Sequence, residues 1–144
     1  MKVIVGDTNG TVVTMPLANH SPGIFEVGAS AAAALDASFK LLTAANPAKR
    51  GQAIQIYANG LGPVTNQPAS GEPASATKLS QTTTMPVVTI GGQTAQVLFS
   101  GLAPGFPGLY QVNVIVPNSA AVGPQKLTIS IGGKTSKESG LILQ

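Results

Sequence analysis

The residues that could carry out chemistry in this 144-residue chain are few, and His20 is the only histidine among them. Nucleophilic catalysis by serine or threonine needs a base held within hydrogen-bonding reach of the hydroxyl group. His20 lies in a linker-like stretch, residues 18–22, and no Gly-x-Ser-x-Gly motif accompanies it. We therefore expect His20 to be an exposed linker histidine and not a catalytic base.

The carboxylates also lack the spacing of a catalytic or metal-binding motif. Glycoside cleavage requires two carboxyl groups at a set separation. The acidic residues share no motif and fall near predicted turns or strand ends: Asp7, Glu26, Asp36, Glu72 and Glu138. Residues 7–10 superficially resemble a calcium-binding loop, but the further oxygen ligands and the closing glutamate are missing. We expect solvated surface charges, and a turn at residues 7–10.

Composition removes several other kinds of site. The chain has no cysteine, which excludes disulfides, thiolate catalysis and zinc–thiolate sites. Its glycine pairs lie between predicted strands and not before a helix, so they do not form a phosphate-binding loop. The sequence therefore predicts no enzyme activity, no cofactor and no metal.

The basic residues give a net charge of +3 but are dispersed, and only Lys49 and Arg50 are adjacent among them. Nucleic-acid binding requires clustered charge, and no apolar run approaches the roughly 20 residues of a membrane span. We expect neither nucleic-acid binding nor membrane insertion.

Carbohydrate binding usually employs exposed aromatic rings. Tyr57 is a candidate for this role, because Tyr110 falls in phase with core residues.

The elements that position these residues are predicted to be short strands joined by tight turns. Seventeen glycines and eleven prolines with few aromatic residues indicate this construction. In the central stretch, residues 86–117, Val88 and Ile90 alternate up to a Gly91-Gly92 turn. A type I′ hairpin turn needs positive φ at both central residues, so a glycine pair is a strong hairpin signal.

Alternation continues beyond this turn and predicts further strands with one apolar face each. One set after the turn is Ala95, Val97 and Phe99, and the next is Tyr110, Val112, Val114 and Val116. Residues 52–59 form another predicted strand, with Ile54 and Ile56 inward. The last strands contain two more apolar sets: Leu127, Ile129 and Ile131, then Leu141 to Leu143.

Several segments are assigned from turn signals. Residues 130–136 repeat the pattern of residues 89–95, with Gly132-Gly133 as the turn. A looser copy predicts a hairpin over residues 2–17, turning at Asn9-Gly10 between Val3 to Val5 and Val12-Val13. Residues 28–45 fit either a helix or a small hairpin, and we favour the hairpin because residues 36–38 read as a turn. Residues 60–85 form a long loop, of a length that is usually functional or mobile.

Two groups of motifs carry a resemblance to known families. The segments 46–51 (NPAKRG), 56–63 (IYANGLGP) and 101–114 (GLAPGFPGLYQVNV) resemble the C-terminal domain of secreted modular proteins of Solibacter and other Acidobacteria. The half from Val87 onward is similar to an immunoglobulin-like IPT/TIG domain. The first resemblance covers residues 22–143. It implies an extracellular or cell-envelope β-sandwich without a known activity.

We therefore predict an all-β, immunoglobulin-like β-sandwich over residues 22–144. Residues 1–21 are predicted to form an appended N-terminal hairpin and linker, similar to the tail of a preceding immunoglobulin-like unit. The predicted function is a non-catalytic structural or adhesive module that acts by protein–protein association or self-association. Strand addition of residues 2–17 to a neighbouring subunit is one route. The alternative is a carbohydrate-binding accessory module of a secreted enzyme.

The predicted contact site is the loop Gly101 to Leu109, together with Tyr57. Three apolar residues occur in this loop between proline-restricted positions: Leu102, Phe106 and Leu109. Exposed apolar patches mark contact sites. Phe106 and Leu102 could instead cap one end of the sandwich. We favour the cap over the contact, and the sequence leaves both interpretations open.

Overall fold

A computed structural model describes residues 4–144 of the chain, with only the backbone described at positions 4, 5 and 9. The described residues form strands and turns, and no helix occurs among them. The strands of the first half are β1 Ile4–Val5, β2 Thr8–Asn9, β3 Gly23–Ile24, β4 Glu26–Val27, β5 Ala31–Ala32, β6 Ala34–Asp36 and β7 Ala53–Asn59. Those of the second half are β8 Val87–Ile90, β9 Gln93–Leu102, β10 Tyr110–Ile115, β11 Gly123–Ile131, β12 Lys134–Thr135 and β13 Ser139–Leu143.

All strands except β1 and β2 belong to one sheet, in the order β3-β7-β10-β9-β8-β11-β13-β5-β4, with β6 on β7 and β12 on β11. The first half of β9 pairs with β8 and its second half pairs with β10. The long β9 therefore connects the part of the sheet that contains β8 and β11 with the part that contains β7 and β10. The result is an all-β fold whose sheet is nearly closed and barrel-like.

A short hydrogen-bonded junction narrows the remaining gap at the opposite side. The chain leaves β3 on β7 and enters β4, which pairs with β5. Between them, the Phe25 amide donates to the Tyr57 carbonyl (3.0 Å) and the Ala33 amide donates to the Phe25 carbonyl (2.6 Å). The Tyr57 amide donates in turn to the Ala33 carbonyl (3.0 Å). These bonds satisfy backbone groups that an open sheet edge would leave unpaired.

The interior confirms the period-two patterns read from the sequence. Ile54, Ile56 and Ala58 of β7 are buried, as are Val112 and Val114 of β10. Val116 and the predicted β11 set Leu127, Ile129 and Ile131 join the same core cluster. Removing such side chains from water is the largest favourable contribution to folding, so these buried faces hold the sheet around its interior.

One predicted apolar face is wrong at Phe99. A β-bulge lies in the β9–β10 ladder, where Asn113 pairs with Phe99 but Val114 pairs with Val97. Leu98 is therefore the extra residue, and the alternation changes phase after it. Val97 packs against the core, whereas Phe99 shares the outer face with Asn113.

The predicted glycine-pair turns are confirmed. Gly91 and Gly92 have φ values of 59° and 76°, and Gly132 and Gly133 have 56° and 73°. The first hairpin turns elsewhere than predicted, because β1 pairs with β2 around Gly6 and the next residue, and not around Asn9-Gly10. Val12-Val13 lie outside any strand, while Val3 lies outside the described residues.

Residues 28–45 form the favoured small hairpin and not a helix. Leu35 and Leu41 make a β-bridge on either side of the predicted turn. Asp36 Oδ1 accepts hydrogen bonds from the amides of Ser38 (2.8 Å) and Lys40 (3.0 Å). This side chain satisfies turn amides that have no ladder partner, which is a common use of aspartate in turns.

The long loop, residues 60–85, is irregular as predicted but is held against the sheet. Gln81 bridges Gly101, and Thr82 bridges Val64. The Leu102 amide donates to the Ser80 carbonyl (2.8 Å). The loop thereby continues the hydrogen bonding of the sheet beyond the second half of β9.

Candidate functional site

The loop Gly101 to Leu109, called here the Phe106 loop, is fixed by its own backbone hydrogen bonds. The Ala103 amide donates to the Leu109 carbonyl (2.7 Å), and the Gly105 amide donates to Ala74 of the long loop (2.9 Å). The Phe106 amide donates to the Ala103 carbonyl (3.3 Å). A loop tied at three points loses little further conformational freedom when a partner binds.

The structure separates the apolar side chains that the sequence grouped in this loop. Leu102 is buried and therefore caps the interior, which agrees with the favoured one of the two interpretations, the cap. Phe106 is 58% exposed, which agrees with the alternative interpretation, a contact site. Leu109 is half-buried. The three residues therefore do not form one apolar patch, and Phe106 alone presents its ring to solvent.

A cleft of about 510 Å³ lies between the Phe106 loop and the long loop. Leu102 and Tyr110 line it from the sheet, and Glu72 lies on the long-loop side. The Tyr110 hydroxyl donates a hydrogen bond to the Gly62 carbonyl, and burial raises the pKa of this phenol. Tyr110 thus stays neutral and ties the two loops together.

Tyr57 lies outside this cleft, on the outer face of the part of the sheet formed by β6, β7, β10 and the second half of β9. It pairs with Gln111, which pairs with Gly101. In the neighbouring row Gln55 pairs with Asn113, which pairs with Phe99. Five half-buried residues of this surface are called here the amide–aromatic face: Gln55, Tyr57, Phe99, Gln111 and Asn113.

The sequence predicted Tyr57 as a candidate contact and placed Gln111 and Asn113 opposite an apolar strand face, but it did not bring these residues together on one surface. Phe99 was assigned to the interior, and a bulge is not readable from residue types alone. One signal was present, however, because a glycine inside a strand often marks a close approach. A Cβ added at Gly101 would lie 2.8 Å from Phe99 Cζ and 2.2 Å from the Ser80 carbonyl oxygen. The glycine therefore leaves room for the Phe99 ring and for the long loop.

His20 is not the exposed linker residue that the sequence predicted. It is half-buried, and its Nε2 is buried without a hydrogen-bond partner among the described residues. A Cβ at Gly62 would lie 2.6 Å from His20 Cδ2, and one at Gly132 would lie 2.3 Å from His20 Nδ1. The imidazole thus fills a gap between two glycines and anchors the N-terminal segment to the body.

Two of the carboxylates near strand ends have separate structural contacts. Glu26 accepts a hydrogen bond from Ser139 Oγ (2.7 Å), and Glu138 pairs with Lys126 (2.8 Å). This ion pair raises the pKa of Lys126. Within residues 4–144, no group of three or more His, Asp and Glu side chains could hold a metal ion. The same part of the chain contains no helix that could cross a membrane.

Comparison with protein-family models, with curated proteins and with solved structures found no match to this chain. The resemblance to the acidobacterial domain and to IPT/TIG domains stays a prediction from the sequence. The surfaces described above are therefore the basis for assigning a function.

Proposed function

We propose that this chain is a non-catalytic binding module, an immunoglobulin-like sandwich that associates with protein through the Phe106 loop. The observation that carries the proposal is the exposed ring of Phe106 on a loop held by backbone hydrogen bonds. Exposed aromatic residues on preorganised surfaces are typical energetic centres of protein interfaces. The long β9, which joins the two layers, supports the sandwich description.

The size of this contact suggests how it should be tested. Complete burial of one phenylalanine side chain contributes about 1.5–3 kcal/mol. A dissociation constant of 1 mM already requires about 4 kcal/mol. Phe106 alone therefore supports only weak association, and a second copy of this chain is the partner that can be tested directly at high concentration.

Sedimentation velocity from low micromolar to near-millimolar protein tests the proposal. We expect concentration-dependent association of the wild type and its loss in Phe106→Ala. Phe39→Ala is the matched control, because Phe39 is also an exposed ring (71%) but lies in the β6 turn. A wild type that stays monomeric, or a Phe106→Ala variant that associates normally, would contradict association through this loop.

Export to the cell surface is part of the proposal and rests on the sequence resemblance. Fractionation of the source cells with an antibody to the chain tests it. Recovery in the cytoplasmic fraction alone would argue against an adhesive role.

Self-association by strand addition is a second candidate, favoured by the exposure of the segment between β2 and His20. This segment, residues 10–18, is called here the arm. Val12, Met15 and Leu17 of the arm are 67%, 55% and 98% exposed. An extended apolar segment of this kind can pair with a sheet edge in a second copy. The edge strands β4 and β12 have only two residues each, so strand addition to either of them would involve few backbone hydrogen bonds.

Deletion of residues 1–17 tests the role of the arm, because it leaves His20 and the body in place. We expect the mass measured by light scattering to fall to that of a monomer. Equal masses of the full chain and the deletion variant would remove strand addition. Loss of association in Phe106→Ala but not in the deletion variant would assign the contact to the Phe106 loop.

A further inference from the structure

We propose that the amide–aromatic face binds a neutral, hydroxyl-rich polysaccharide. This site is separate from the Phe106 loop and does not depend on the protein association proposed above. Four features of the face support this binding: the register of its strands, the hydrogen-bonding groups of its amides, the placement of Phe99 and the absence of charged residues from its two rows.

Strand register places the members of the face in two adjacent rows. One row runs from Leu35 through Gln55 and Asn113 to Phe99. The other runs from Tyr57 through Gln111 to Gly101. Neighbouring strands are about 4.8 Å apart, so the first row extends for about 14 Å. The face is therefore long enough to contact several sugar rings of an extended chain.

The amides are oriented by contacts within the face and keep hydrogen-bonding capacity. Gln111 Nε2 donates to Asn113 Oδ1 (2.8 Å), and the Tyr57 hydroxyl lies 3.5 Å from Gln55 Oε1. The Gln111–Asn113 pair still presents a carbonyl oxygen and an amino group, for which no other described residue provides a partner. Each sugar hydroxyl can donate and accept, and it needs both kinds of group nearby.

The sequence pattern predicts that Phe99 faces the core. The bulge at Leu98 instead turns its ring to the outer face. Phe99 lies half-buried on the outer face, and Ser100 lies in the interior, where its Oγ is buried with no hydrogen-bond partner among the described residues. A buried hydroxyl without a hydrogen bond is destabilising. Departures from the local pattern are expected at functional sites. The arrangement therefore favours a surface role for the Phe99 ring.

The absence of charged residues from the two rows favours a neutral ligand. Neither row contains Asp, Glu, Lys, Arg or His. An anionic polymer would gain no ion pair here. The apolar side of a pyranose ring can instead pack on Tyr57 or Phe99, while its hydroxyl groups reach the amides.

Affinity electrophoresis in native gels that contain soluble polysaccharides tests the proposal. The probes are xyloglucan, mixed-linkage β-glucan and galactomannan, with polygalacturonate as the anionic comparison. We expect retardation by at least one neutral polymer, followed by titration calorimetry with oligosaccharides of that polymer. Tyr57→Ala and Gln111→Ala should each weaken binding by about tenfold, because each removes one main contact.

Two kinds of control separate this site from a general effect of mutation. Tyr57→Phe keeps the ring and should retain most of the affinity, and thermal unfolding checks that each variant is folded. Phe106→Ala should bind polysaccharide normally even if it no longer associates with protein. The proposal is overturned if no neutral polymer retards the wild type, if Gln111→Ala binds equally well, or if polygalacturonate binds more strongly than every neutral polymer.

Discussion

The two glycine-pair turns have nearly the same backbone but different surroundings. Both pairs have positive φ at each residue, near 56–59° at the first glycine and 73–76° at the second. Both join antiparallel strands: β8 with β9, and β11 with β12. The repeated sequence pattern therefore produces the same local structure twice, because positive φ at both positions is available to glycine at little cost.

The difference lies in what packs against the first glycine of each pair. A Cβ at Gly91 would lie 2.5 Å from Gln125 Oε1, whereas one at Gly132 would lie 2.3 Å from His20 Nδ1. Gln125 lies on β11, the strand that pairs with β8, and its side chain is flexible. His20, in contrast, belongs to the N-terminal segment. The second turn thus connects the body to a distant part of the chain, which the local sequence does not indicate.

The largest expected effect tests whether both hairpins share one core. Ile90 precedes the first turn and Ile131 precedes the second, and they are 0% and 3% exposed. We expect Ile90→Ala and Ile131→Ala each to lower the free energy of unfolding by about 2–5 kcal/mol, because each leaves a cavity. Denaturant unfolding measures this change.

Val87→Ala is the control for these core substitutions, since Val87 is half exposed on β8. It should change the free energy of unfolding by less than about 0.5 kcal/mol. If Ile131→Ala lowered the free energy of unfolding as little as Val87→Ala does, the second hairpin would not be part of the core.

An intermediate effect distinguishes the two glycines of the second turn. Gly132→Ala and Gly133→Ala both place a side chain at positive φ, at about 1–2 kcal/mol each. Only Gly132→Ala also meets the His20 ring, because nothing lies within 4 Å of a Cβ at Gly133. We expect Gly132→Ala to be more destabilising by about 1 kcal/mol in thermal or denaturant unfolding.

A double-mutant cycle with His20→Ala isolates this contact. In the His20→Ala background the two glycine variants should become equally stable. Gly91→Ala and Gly92→Ala form the matching pair in the first turn, where the Gln125 side chain can move aside and the difference should be smaller. An unchanged difference between Gly132→Ala and Gly133→Ala without His20 would refute the anchoring role of the imidazole.

The smallest effect concerns the β6 turn, which has no glycine pair and uses Asp36 instead. The Asn46 side chain (3.0 Å) and the turn amides of Lys40 and Ser38 lower the pKa of Asp36 from its ordinary value of 3.8. Because the folded pKa is the lower one, the unfolded state binds more protons as pH falls. The stabilisation is therefore present above pH 3.8 and is lost as the pH falls through the folded pKa.

Asp36→Asn should lower the melting temperature slightly at pH 7, and the gap from wild type should narrow below pH 4. Melting temperatures measured between pH 2.5 and pH 7 test this. A gap that stays constant across this range would mean that the Asp36 charge does not contribute.

Sequence reasoning was most successful where one short segment contains all the information. The buried faces of β7, β10 and β11 follow from alternation, and the glycine-pair turns follow from the φ that glycine permits. The small hairpin at Asp36 was also predicted from its turn residues. In each case the residues that decide the conformation are within a few positions of one another.

Predictions failed where a distant segment or a single extra residue decided the outcome. Phe99 continues the apolar alternation, yet the bulge at Leu98 turns it outward. His20 is surrounded by linker residues, yet Gly62 and Gly132 enclose its ring. In the loop from Gly101 to Leu109, the sequence left Leu102 and Phe106 equivalent, and packing buried one and exposed the other.

The sequence by itself determined that the chain forms short strands with one apolar face, joined by glycine turns, because both depend on local spacing and backbone sterics. The tertiary structure alone decided which polar and aromatic side chains meet on the outer face. That outcome depends on the pairing of β7, β10 and β9, which are far apart along the chain. Register across such distances is set by closure of the whole sheet and is therefore not readable from any one segment.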